Sequence, residues 1–154
     1  MLVHPEHEHR LDRLTQQVRA ASAPTSDLFA DVIADCTRLP TLLKSGKAAR
    51  IELLLKAGAW TDAAFSLIEF ELPAWRLRRL INEDGEWICS LSRQPNLPVT
   101  LDDAADAHHE CLPLAILGAF LEARRRAAHV RVHARSVPQV RTVFENPLCC
   151  DNFS

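Results

Sequence analysis

Three groups of residues bring histidines close together in sequence, one of them with acidic and thiol side chains, the types that hold metal ions. The first is His4, His7 and His9 near the N-terminus. Imidazoles this close together scavenge divalent cations, but a mobile segment lacks the fixed geometry of a working site. The second is Asp102, Asp106, His109 and Glu110, with His108 and Cys111 beside them. If this stretch opens a helix, i,i+3 and i,i+4 spacing puts Asp102, Asp106, His109 and Glu110 along one edge. That edge is the candidate divalent-metal set, and a metal-dependent hydrolase is the corresponding activity, provided a second element adds a ligand. The competing account needs no metal, because acidic residues at a helix start complement the helix dipole. The third group, His129 and His133, has no glutamate of the zinc-protease kind between its members, and a pair of ligands does not close a site.

Other chemistries find less support. No serine is flanked by glycines as in a nucleophile elbow. With four glycines in 154 residues there is no glycine-rich phosphate loop, so no nucleotide cofactor of the common kinds is expected. Five cysteines cannot all pair within one chain. Cys36, Cys89 and Cys111 lie in apolar patterns, where a thiol acts as a small core residue. Cys149 and Cys150 are adjacent, and neighbours rarely bridge without strain. Reduced thiols fit a cytoplasmic protein. The polar start, MLVHPEHEHR, has no apolar centre of a secretory signal. No apolar run approaches the ~18 residues of a membrane span.

Charge is divided along the chain. The net charge is −2, yet residues 123–154 hold six arginines against Glu145 and Asp151. Nucleic acid bound through the Arg-rich C-terminal segment is one reading of that end, and a solvated basic terminus is the other. A second basic feature is the group Trp75, Arg76 and Arg78, with Arg79 adjoining. Arginine forks onto carboxylates and stacks on aromatic rings, so Trp75, Arg76 and Arg78 are the candidate partner-binding residues, suited to an acidic surface. Arg76 and Arg78 are expected to project away from the core, where replacement costs less than about 0.5 kcal/mol each.

Periodicity supplies the elements that carry these residues. Leu11, Leu14, Val18 and Ala21 predict a helix over 8–22. Thr25 or Ser26 caps a second helix with the stripe Leu28, Phe29, Val32, Ile33, Cys36 and Leu39, ended or kinked by Pro40. A third carries Ile51, Leu54 and Leu55 and closes on Gly58. Thr61 caps a fourth, 62–72, stopped by Pro73. The segment Ile51–Ala59 resembles the second-helix end of an ankyrin repeat, but no Thr-Pro-Leu-His-like start or second copy accompanies it. A helix-turn-helix over 50–69 is disfavoured by a second helix without Lys or Arg. Alternation then marks a β-hairpin at about 75–92. A three-residue loop, Glu83-Asp84-Gly85, would pair Ile81 with Trp87 and Leu77 with Leu91, gathering Trp75, Leu77, Ile81, Trp87, Cys89 and Leu91 on one face. A helix beginning near Asp102 or Asp103 follows, apolar nearly all round from Cys111 to Leu121, kinked or restarted at Pro113 and ending at Arg124-Arg125-Arg126. Val130, Val132 and Ala134 alternate as a strand or extended arm would.

The expected fold is therefore α+β: a mostly helical single domain with one β-hairpin packed on a central buried helix. Residues 1–24 form an N-terminal helix and linker, 25–127 the globular core, and 128–154 a basic tail. The leading functional expectation is a non-enzymatic protein-interaction or regulatory module. Its partner is another protein or a second copy. Nucleic acid is a lesser expectation, and no membrane partner is expected.

Overall fold

The computed structural model describes residues 5–136, with side chains as far as residue 131. The expected tail beyond 136, with Cys149 and Cys150, lies outside the described residues. The elements in chain order are α1 (Pro5–Ala20), α2 (Ser26–Asp35), α3 (Leu39–Lys44), α4 (Ala49–Lys56), α5 (Trp60–Glu71), β1 (Arg76–Glu83), β2 (Glu86–Ser92), β3 (Ala105–His109) and α6 (Leu112–Ser136). The strands form one antiparallel sheet in the order β1-β2-β3. The fold is α+β, as the sequence predicts, with a hairpin against a long buried helix.

Helix α6 is the centre. Leu114, Ile116, Leu117, Phe120 and Leu121 are buried on it, matching the all-round apolar run. It packs against β3, β2, α1 and α5. Pro113 sits in its first turn, where the missing N–H costs nothing. The helix runs past the three arginines to Ser136, so Val130–Ala134 is helical and the strand or arm expected there is corrected. Helix α1 adds Leu11, Leu14 and Val18 to the same core, which therefore begins before residue 25.

Local signals place most helix ends. The Thr25 hydroxyl accepts from the Leu28 N–H, capping α2. Gly58, at φ 69°, takes the left-handed position after α4. Two ends differ from expectation. α5 begins at Trp60, with Thr61 inside it rather than capping, and Trp60 stacks on Phe29 at 5.6 Å. Beyond Cys36 the chain turns and starts a separate short helix, α3, with Pro40 in its first turn.

The hairpin register is a correction. Ile81 pairs with Ile88 and Leu80 with Cys89 around a two-residue Asp84-Gly85 loop. Both loop residues have positive φ, 53° and 87°, as in the type I′ turn that matches strand twist. The three-residue loop segregates apolar from polar residues, as a sheet with one wet face requires. β2 is instead the middle strand, and Ser90 and Ser92 are buried with it. A bulge at Arg78 then restores the Leu77–Leu91 pair. Of the strand residues expected on one face, Leu77, Trp87, Cys89 and Leu91 keep it, Leu80 joins them, and Ile81 departs to lie with Ile88 on the other side.

The third strand is also a correction. Ala105–His109, read as the start of the central helix, pairs with the far edge of β2. A two-stranded hairpin is marginal alone, and the free edge of β2 recruits a segment whose alanines carry no strong β preference. Those alanines have a packing role. Helix α6 approaches so closely that a Cβ at Gly118 would stand 3.0 Å from Ala107 Cβ.

Candidate functional site

The candidate partner-binding residues differ in their surroundings. Trp75 ends the short turn after α5 and is buried, with the Arg93 guanidinium 5.4 Å from its ring centroid. Arg76 is exposed, and its Nη1 donates to the Pro73 carbonyl at 2.7 Å. Trp75 and Arg76 together border a groove of about 460 Å³ between α5 and the start of β1. Its floor is Ile68, Trp75 and Leu91, its walls are Phe65 and Leu77, and Glu69 and Arg76 stand at the rim. Leu77 is 44% exposed, which leaves apolar surface open in the groove.

Arg78 has a different role. The bulge residue donates to the Asp102 carboxylate and, at 2.9 Å, to the Leu97 carbonyl, on the sheet face that carries Ser92. Ser92 Oγ donates to the other Asp102 oxygen at 2.7 Å and accepts from the Gln94 N–H at 2.9 Å. The side chains of Arg78 and Asp102 are 16% and 4% exposed. This cluster fastens the loop 93–104 over the end of β2. Arg78 is thus a structural pin, and the expectation that it projects freely into solvent is corrected.

The helical edge expected to hold a metal does not form, because its residues lie on a loop and a strand. Asp102 is engaged by Arg78 and Ser92. Asp106 projects from β3 beside β2 and accepts from Ser90 Oγ. His109, on the opposite sheet face by strand alternation, lies 3.0 Å through Nε2 from the Ala21 carbonyl, and its Nδ1 accepts from the Cys111 N–H at 2.9 Å. Both ring nitrogens are used, so the ring ties α1 to the start of α6. Glu110 is exposed in the connecting turn. Among the described residues no group of three or more His, Cys, Asp or Glu is arranged to hold a metal ion. His7 and His9 lie in the first turns of α1, and His129 comes within 4.0 Å of Glu8. His4 and the His133 side chain fall outside the described set.

The three consecutive arginines of α6, Arg124, Arg125 and Arg126, are paired. Arg124 is buried and donates to the Asp35 carboxylate at 2.9 Å and to the Asp35 carbonyl at 2.7 Å. Arg125 bonds to Asp12, and Arg126 to Asp103 and, at 3.3 Å, to Glu122. The thiols Cys36, Cys89 and Cys111 are free. Burial pushes Cys36 up to about 12, against a smaller downward pull from Arg124. Burial, with a contribution from Asp106, pushes Cys89 up to about 12 as well. Such thiols are poor nucleophiles.

Two further polar residues escaped sequence reasoning. Glu71 is buried and accepts from the N–H groups of Thr37, Arg38 and Leu39 at 2.9–3.0 Å and from the Thr37 hydroxyl. It closes the turn between α2 and α3. Asp35 receives Arg124 in the same region. Its place between Phe70 and Leu72 is the available signal for Glu71, though the exposed Glu69 has the same kind of neighbours.

Compared with protein families, with curated proteins and with solved structures, the chain matches none. No helix among the described residues is long and apolar enough to cross a membrane.

Proposed function

We propose that the chain is a protein-interaction module that docks a partner on the face formed by β1 and the α5–β1 groove. The observation that carries this reading is the groove itself: an apolar floor left open beside an exposed leucine, with a glutamate and an arginine at the rim. Concave apolar surface with a few polar groups at its border suits recognition of another chain. Strand β1 adds to it, since an edge strand offers unpaired backbone groups to an incoming segment. Trp75 gives the groove a rigid floor and Arg76 a charged hydrogen-bonding rim. Arg78 contributes indirectly, by fixing the bulge that turns Leu77 toward the groove.

The test is site-specific photo-crosslinking in the native host. A photoreactive residue replaces Leu77 in one variant and Gln16, exposed on α1, in another. Adducts specific to position 77 are expected, at the mass of a second protein or of two copies of this chain. Absence of such adducts, or equal adducts from position 16, would overturn the reading.

A further inference from the structure

We infer that β1 pairs antiparallel with β1 of a second copy of this chain, joining the sheets of two molecules into one. This rests on the docking reading above and names the partner. α6 packs against β2 and β3, whereas the main support of β1 is β2, and its outer side is a sheet edge. Glu83 and Glu86 flank a two-residue loop and therefore form a hydrogen-bonded pair. Alternation from that pair turns Ile81 toward β2 and leaves the N–H and C=O groups of Leu80 and Asn82 pointing outward.

The regular part of this edge lies between the bulge at Arg78 and the turn at Asp84. It is the segment Arg79-Leu80-Ile81-Asn82-Glu83, centred on Ile81. An antiparallel copy that bonds Leu80 to Asn82 of its mate, and Asn82 to Leu80, puts the twofold axis at Ile81. The same register sets Arg79 directly opposite Glu83, and Ile81 against its own copy. Leu80 and Ile81 are half-buried, and Arg79 and Glu83 are exposed. Neither Arg79 nor Glu83 enters an ion pair among the described residues. Backbone, apolar and charge complementarity thus select one register. Charged residues on an edge also repel stray strands. Here the opposite charges flank the midpoint evenly, so repulsion acts on a parallel approach and attraction on the antiparallel one.

Sedimentation equilibrium of the full chain tests this, from about 5 to about 500 µM, at low and high salt. The expected result is a dimer with a micromolar dissociation constant, weakened by salt because the facing charges are near the surface. Arg79→Glu and Glu83→Arg alone each set like charges face to face and should weaken association at least about tenfold. The double variant R79E/E83R restores the match and should recover affinity to within about threefold. Melting curves confirm that all variants fold, and the exposed positions favour that outcome. A monomeric mass throughout overturns the self-pairing. So does a dimer indifferent to the single reversals, or one not recovered in the double variant. A monomer that crosslinks from position 77 to another protein overturns the self-pairing alone and leaves the docking reading standing.

Discussion

Leu77 and Leu91 are cross-strand partners, yet Leu77 is 44% exposed and Leu91 is fully buried. The contrast arises because β2 is covered by α6, while β1 overhangs the groove. Leu91→Ala should cost about 2–5 kcal/mol through lost transfer energy and a residual cavity. Leu77→Ala should cost less than about 1 kcal/mol. Urea titration of both variants checks the difference. Equal losses would mean that the groove is closed in solution.

Arg76 and Arg78 should differ in the same way. Arg78→Ala leaves the buried Asp102 carboxylate without its charged partner, and a loss of about 2 kcal/mol is expected. Arg76→Ala removes an exposed contact and should change stability by less than about 0.5 kcal/mol. Arg78→Lys should recover only part of the loss, since an ammonium cannot hold Asp102 and the Leu97 carbonyl in the same fork. Denaturation midpoints of the three variants decide this.

Glu71 holds the α2–α3 turn through bonds from Thr37, Arg38 and Leu39. Glu71→Gln keeps the shape but loses the charge, and one side-chain oxygen becomes a donor facing donors. Destabilisation of about 2 kcal/mol or more is expected. Thermal unfolding reads it. An unchanged melting point would mean that water replaces the carboxylate.

Cys36 and Cys89 are raised from an ordinary 9.0 to about 12. In the unfolded chain these thiols ionise above pH 9, while in the folded chain they keep their protons to about 12. Their contribution to stability is therefore complete below pH 9 and is lost as pH rises from 9 toward 12. The slope is at most about 1.4 kcal/mol per pH unit per thiol. Wild-type stability should fall more steeply over this window than that of Cys36→Ala/Cys89→Ala. Parallel curves would contradict the assignment.

Periodic apolar residues made the helices legible in sequence: Leu28, Phe29 and Val32 on α2, and Leu114 to Leu121 on α6, are buried where their spacing puts them. Features that depend on distant partners were not legible. Ala105–His109 has helix-compatible residues and becomes a strand only because β2 has an edge to fill. The metal-set reading failed with that helix. The hairpin loop was not legible because Ser90 and Ser92 have the character of solvent residues, and only Asp106 and Asp102, many positions away, make them burial-compatible. Arg78 looked like part of a free basic face for the same reason. The groove that Trp75 and Arg76 border depends on Phe65 and Ile68 from α5, which their own sequence neighbourhood does not reveal.

Residue-resolved amide exchange at low and high protein concentration tests the central claim, a β1 edge occupied by a second copy, most directly. The amides of Leu80 and Asn82 point away from β2 and should slow at least about tenfold as concentration rises. Those of Ile81 and Glu83, already bonded to β2, should change little. Exchange at Leu80 and Asn82 that stays fast and equal at both concentrations would contradict the account.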